Sequence, residues 1–316
     1  MAKAYAKENW WPTPDQAAIS KSSISDDNCM NGLDISDHVV TREQFETCTI
    51  PPTTQDNLHI FMIGDSHAFA LVPMLGQVHN ETGIGVTTVS SSACPVSLNI
   101  LRNRIEGGLY TACQDYVKSM LELVQATAKP GDIVLIASRY RTYLSSIPPI
   151  SWIDTESYHR GQYDLFRDGK LISKADAQRQ VATDLIEIGN QLAAKGVTLV
   201  LHAPLPEHHI RAEQCLPVWF SAGGGLKPEC TVSREENLAH RQPAMDVLQT
   251  VEQALTNVYV WDVFDQLCPG EKCSHFRDGK PLFRDDDHLA LYGSRSLVPD
   301  FIVFLQQHDL LEDGNV

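Results

Sequence analysis

The 316 residues carry a net charge of −15, with 43% hydrophobic and 21% charged residues, the balance of a globular chain. That negative field repels nucleic-acid phosphates and anionic membrane surfaces, so nucleic-acid binding is set aside. No apolar run reaches the ~18 residues of a membrane-spanning helix, and the longest strand-like run is confined to residues 58–63.

Residues 1–11 contain two lysines with no apolar stretch after them and do not read as a secretory signal, so an export address would lie outside this sequence. Residues 1–56 are polar and irregular, include Cys29 and Cys48, and read as an N-terminal extension to one main domain over 57–316. Within that domain, buried strands are expected at 58–63 (LHIFMI), 84–89 (IGVTTV), 132–137 (DIVLIA), 197–202 (VTLVLH) and 257–261 (NVYVW). Helical periodicity fills 67–79, 109–128, 173–194, 233–255 and 288–307, and the alternation predicts βαβ units around a five-stranded parallel sheet. Lys129-Pro130-Gly131 and Ala194-Lys195-Gly196 stop two of these helices. The long irregular segments 139–170, 203–230 and 264–284 all follow strands. That places them at the carboxyl edge of an open sheet, where ligand crevices form.

Eight cysteines, an even number, suit disulfides in an oxidising compartment. They permit 105 pairings. Joining sequence neighbours (Cys29 with Cys48, Cys94 with Cys113, Cys215 with Cys230, Cys268 with Cys273) is the economical choice, closing four local loops. The competing readings are reduced core thiols and zinc ligation by Cys268, Cys273 and His275, the latter without a matching second pair.

Two segments carry chemistry. The first strand runs into Gly64-Asp65-Ser66-His67 and then a helix, which exposes the Ser66 hydroxyl at the carboxyl end of a buried strand and sets its amide at a helix N-terminus. The alternative is simple helix capping by Asp65 or Ser66. Near the other end, Phe283-Arg284-Asp285-Asp286-Asp287-His288-Leu289 puts a carboxylate three residues before a histidine, so that Asp285 can orient the ring while its other nitrogen faces a serine. The alternative there is an acidic helix start with His288 solvated.

Taken together, Gly-Asp-Ser after the first strand and Asp-x-x-His before the last helix resemble the first and last sequence blocks of the SGNH (GDSL-like) hydrolase superfamily. The resemblance spans about residues 58–307 and implies a flavodoxin-like three-layer α/β/α sandwich with Ser66 as nucleophile, His288 as general base then acid, and Asp285 as the orienting carboxylate. Asp286 and Asp287 are not expected to serve, because the superfamily's carboxylate stands three before the histidine. Ser91-Ser92-Ala93-Cys94-Pro95 with Cys113, Ala137-Ser138-Arg139-Tyr140, and Asp287-His288-Leu289 with Gly293 look like the extracytoplasmic SGNH domains of membrane acyltransferase-3 proteins. That narrower resemblance implies O-acyl transfer, acetyl in the simplest case, from an acyl donor to a bacterial surface glycan, with a membrane acyltransferase domain as partner and no cofactor. The alternatives are a carbohydrate or lipid esterase using water as acceptor, and a non-catalytic glycan-binding domain.

One departure matters: the superfamily's Gly-x-Asn-Asp block is absent after the third strand, where Ser138-Arg139-Tyr140-Arg141 stands. Besides the Ser66 amide, Arg139 and the backbone around Ser92 are therefore the candidate oxyanion donors. Trp152, Tyr158 and Trp219 lie in the long loops as candidate sugar-stacking residues. His67 is expected to pack or line the crevice, and His208 and His209 read as surface histidines.

Overall fold

The computed structural model describes residues 29–32, 38–55, 57–103, 108–152, 163–215, 228–278 and 280–311. Five parallel strands form its centre: β1 (His59–Gly64), β2 (Gly85–Ser91), β3 (Ile133–Ala137), β4 (Thr198–His202) and β5 (Val258–Trp261). Their spatial order is β2-β1-β3-β4-β5. The chain leaves β1 for β2 on one side and returns to β3 on the other, and the crevice of a doubly wound sheet opens at that reversal.

Period-two alternation sorts the strand residues onto two faces. Ile60 and Met62 of β1 and Leu135 of β3 pack on one side with Leu71, Met74 and Leu75 of α1 (Ser66–Thr82) and Phe301 and Leu305 of α5 (Val298–Gln307). Phe61 and Ile63 of β1 and Ile136 of β3 pack on the other side with α2 (Ala112–Thr127), α3 (Lys174–Ala193) and α4 (Arg234–Ala254). The result is the expected three-layer α/β/α sandwich. The side chains of Asp65, Ser173 and Ser233 cap α1, α3 and α4 by accepting amides of their first turns, so the entry point of each helix is fixed locally.

The sheet differs from the expected five strands. Met30–Asn31 adds in parallel to Ser90–Ser91, and Thr49–Ile50 adds antiparallel to Val86–Thr87, making seven strands with β2 covered at its outer edge. Strands of two residues have no periodicity to read, and an edge strand left bare is a liability that such a cover removes. The last expected helix is also different: 288–290 is not helical, and the chain forms Leu291–Arg295 and then α5. Leu289 instead makes an antiparallel bridge with Phe283, which closes the 283–289 loop. Leu165–Arg167 in the first long segment and Lys170–Ile172 at its end join Leu101–Asn103 and Leu109–Tyr110 in a small four-stranded sheet, so the helix expected from 109 begins instead at Ala112, after that strand pairing.

All eight cysteines pair with their sequence neighbours: Cys29–Cys48, Cys94–Cys113, Cys215–Cys230 and Cys268–Cys273. Four disulfides belong to an oxidising compartment outside the cytoplasm. Among the described residues, no helix is long and apolar enough to cross a membrane.

His208 is not at the surface. It is fully buried, its ring stacked 3.8 Å from that of His275 and edge-on to Phe283. Tertiary contact overrides the polar local sequence here: the His208 amide donates to the Asp286 carbonyl at 2.8 Å, which draws the residue under the 283–289 loop. Burial lowers His202 to about 3 and His275 to about 4. Both are neutral in the folded chain and take up protons on unfolding below about pH 6.5. The stability that these two rings contribute is therefore full above that pH and lost as pH falls towards the folded values, by about 4 kcal/mol or more between pH 7 and pH 4. Urea unfolding midpoints measured across this range should fall steadily; a flat profile would contradict the burial of these rings.

Candidate active site

Gly64 pairs with Ser90 of β2 and Ala137 of β3 at the carboxyl ends of the strands, so the following turn emerges at the sheet reversal. A Cβ at Gly64 would lie 1.7 Å from the Ala137 carbonyl oxygen, so only glycine lets the turn pass this close. Asp65 is buried and works on two elements. One carboxylate oxygen accepts the His67 amide at 2.9 Å, and the other accepts the Ser138 hydroxyl at 2.9 Å and the Arg139 amide at 2.8 Å. It thus pins the start of α1 to the end of β3. Ser66 occupies the first position of α1, partly exposed, where a helical amide has no acceptor within the helix.

The 283–289 loop brings His288 to this turn across 222 positions of sequence. His288 Nε2 lies 2.7 Å from Ser66 Oγ, and His288 Nδ1 lies 3.0 Å from both carboxylate oxygens of Asp285. Asp285 also accepts the amides of His288 at 2.8 Å and Asp287 at 3.2 Å, which shapes the loop. The structure therefore brings Ser66, His288 and Asp285 together in hydrogen-bond order.

Asp287, which the spacing rule passes over, also reaches the ring: its Oδ1 is 2.8 Å from His288 Nδ1. Its Oδ2 meets Arg139 Nε at 2.7 Å and His67 Nε2 at 3.1 Å. Arg139 Nε in turn lies 3.2 Å from Glu207, which also pairs with Arg141. The run of three aspartates was the only local signal for Asp287. Arg141 and Glu207 have none, because the loops after β3 and β4 become neighbours only in the folded sheet.

These contacts set the electrostatics. Burial alone would lower His288, but the charge of Asp287 and the hydrogen bonds that Asp285 and Asp287 accept from the ring outweigh it and push the ring up to about 10. Burial raises Asp287, yet Arg139 and His288 together hold its carboxyl well below the usual range. Asp285 and Glu207 are likewise lowered, against the effect of burial, by His288 and by the two arginines respectively. The site is built to hold a positive imidazolium.

The remaining sequence candidates fall as follows. The Ser92 amide donates to the Asn31 carbonyl at 3.0 Å, so that hydrogen is committed to the N-terminal segment. The Arg139 Nε is directed to carboxylates. His67 packs beside His288 with ring centroids 5.0 Å apart. Trp152 is 58% exposed, with its ring stacked 5.2 Å from His209 and its amide donating to the His209 carbonyl at 2.9 Å. Tyr158 and Trp219 lie outside the described residues. Cys268 and Cys273 are joined to each other, and His275 meets the Ile210 carbonyl through Nε2 at 2.8 Å.

A parallel sheet with this arrangement at its carboxyl edge defines the SGNH class of serine-dependent esterases and acyltransferases. More narrowly, the chain belongs to the family of SGNH domains fused to AT3 domains, whose pattern matches residues 29–302. Among solved structures, the periplasmic domain of a lipopolysaccharide acetyltransferase from Salmonella ser. Paratyphi A is 13% identical with a TM-score of 0.57, covering 92% of this chain and 95% of that one. A catalytic mutant of an acetylxylan esterase from Geobacillus stearothermophilus is 12% identical with a TM-score of 0.44, covering 84% of this chain and 99% of that one. At such identities the Salmonella likeness is one of fold. No curated protein matches the chain by sequence.

Proposed function

We propose that this domain is an O-acyltransferase that passes an acyl group, acetyl in the simplest case, to a hydroxyl of a bacterial surface glycan through an acyl-Ser66 intermediate. The observation that carries this reading is the 2.7 Å contact of His288 Nε2 with Ser66 Oγ in a chain whose family is fused to AT3 domains. His288, in its neutral form, takes the Ser66 proton as Oγ attacks the donor carbonyl, so that turnover rises with pH as the ring deprotonates, and Asp285 holds the ring in the required orientation. The Ser66 amide at the N-terminus of α1 faces the developing oxyanion. The imidazolium then protonates the leaving group. In the second half His288 deprotonates the glycan hydroxyl, whose oxygen attacks the acyl carbonyl; the bond from that carbonyl to Oγ then breaks as the imidazolium returns the proton to Ser66.

An AT3 membrane domain is the proposed source of the acyl group, with residues 57–316 as the catalytic unit outside the cytoplasm and the segment before it bracing β2. Trp152, exposed and backed by His209, offers a flat apolar face suited to a sugar ring. A fold neighbour that is part of a lipopolysaccharide acetyltransferase is in keeping with a glycan acceptor. Partial exposure of Ser66 also admits water, which makes hydrolysis the competing fate.

The test supplies an activated acetyl ester with surface-derived oligosaccharides and follows both products. Acetylated sugar should rise with acceptor concentration at the expense of free acetate, and Trp152→Ala should raise the acceptor KM by about 10-fold while leaving donor KM unchanged. Free acetate as the sole product at every acceptor concentration would leave the esterase reading.

A further inference from the structure

We propose that Asp287 is a positioning residue, a second carboxylate for His288 that Arg139 clamps in place and that sets both the placement and the proton affinity of the ring. The inference rests on the reading of Ser66 and His288 as the reacting pair. A single Nδ1–H faces two carboxylates, and the two are held in different ways. Asp285 is tied to its own loop: it accepts the backbone amides of residues 287 and 288, its side chain is 16% exposed, and it faces Arg284 at 3.3 Å. Asp287 is 3% exposed and is tied instead to other elements, through His67 to α1 next to Ser66 and through Arg139 to the end of β3. Arg139 is itself fixed on Glu207, whose amide donates to Asn237 of α4 at 2.8 Å and whose carbonyl accepts from the same side chain at 3.1 Å. Asp285 therefore shapes the loop, and Asp287 fastens that loop to α1, whose first residue is Ser66, and to the end of β3, to which Asp65 pins α1.

Asp285, Asp287 and His67 lie against the His288 ring, and the titratable and charged groups around them are Arg284 and Asp286 on the same loop, Asp65 at the start of α1, Arg139 and Arg141 after β3, and His202 and Glu207 at and after the end of β4. The carboxylates of Asp65, Asp285, Asp286, Asp287 and Glu207 outnumber the guanidinium groups of Arg139, Arg141 and Arg284, so the imidazolium supplies positive charge the cluster lacks. Asp287 and Arg139 then have opposite effects on the ring. Removing the carboxylate weakens the hold on the proton, and removing the guanidinium strengthens it by leaving Asp287 less compensated.

The experiment measures kcat and KM for an activated acetyl ester against pH in unmodified protein, Asp287→Asn, Arg139→Gln, Asp285→Asn and the double Asp285→Asn/Asp287→Asn variant. In unmodified protein the acidic limb of kcat/KM should lie above the ~6.5 of ordinary imidazole. Asp287→Asn should move that limb down by about one pH unit or more and lower the alkaline plateau of kcat about 10- to 100-fold, with ester KM within about twofold. Arg139→Gln should move the limb up, and the double variant should fall well below either aspartate variant alone. Damage to the fold would scale the profile without moving it in opposite directions. If Asp287→Asn does not fold, the upward limb of Arg139→Gln carries the test alone. An unmoved limb in these variants, or a double variant no worse than Asp285→Asn, overturns the inference; with Ser66→Ala inactive in the same assay, the reading of the reacting pair would survive that failure.

Discussion

Ser66→Ala is expected to lower turnover of an activated acetyl ester by about 10⁴- to 10⁶-fold while leaving the fold intact. The magnitude follows from the role: without Oγ there is no acyl-enzyme, and the residue left behind offers only binding and the amides at the start of α1. The fold should survive because Ser66 is partly exposed, its hydroxyl contacts His288, and the cap of α1 is supplied by Asp65. Circular dichroism and thermal unfolding matching the unmodified protein, alongside lost turnover, are the expected pair of results. His288 would then lack its Nε2 partner but keep Asp285 and Asp287, so the loop has no reason to collapse.

The second large effect concerns the turn that presents Ser66. Gly64→Ala places a Cβ 1.7 Å from the Ala137 carbonyl oxygen and 2.8 Å from Ala68 Cβ. Neither neighbour can yield cheaply, since one is backbone of a paired central strand and the other is packed in the first turn of α1. Relief requires β1 and β3 to part or α1 to tilt, at a cost of about 3 kcal/mol or more. Either movement also withdraws Ser66 from His288, so activity should fall in whatever fraction stays folded. Gly270→Ala is the control, because a Cβ there meets nothing within 4 Å and should change stability by about 0.5 kcal/mol or less. Denaturant midpoints of the two variants measure the difference, and equal midpoints would contradict the close passage at Gly64.

What was legible in the sequence was local. β1 running into Gly64-Asp65-Ser66, and Asp285 three residues before His288, each state their geometry within a few residues, and the five central strands announce themselves as short apolar runs between helical stretches. The two-residue strands at Met30–Asn31 and Thr49–Ile50 do not, since their order comes from β2 and the Cys29–Cys48 link. The stretch at 288–290 reads as helix from its periodicity, but Asp285 captures the amides of residues 287 and 288, and the Phe283–Leu289 bridge closes a loop instead. Asp287 and Glu207 were hidden for a further reason. Their partners arrive from α1 and from the loops after β3 and β4, and a spacing rule built on one carboxylate has no place for a second. His208 failed in the same way, drawn inward by a carbonyl nearly eighty positions away.

The most direct measurement is the site of acylation during turnover. Unmodified protein quenched with an activated acetyl ester should carry one acetyl group by intact mass, on the peptide containing Ser66, and the adduct should decay faster when oligosaccharide acceptor is added. Ser66→Ala should carry none. A folded, active protein that never shows the adduct, or an adduct that persists in Ser66→Ala, would contradict an acyl-serine route through this site.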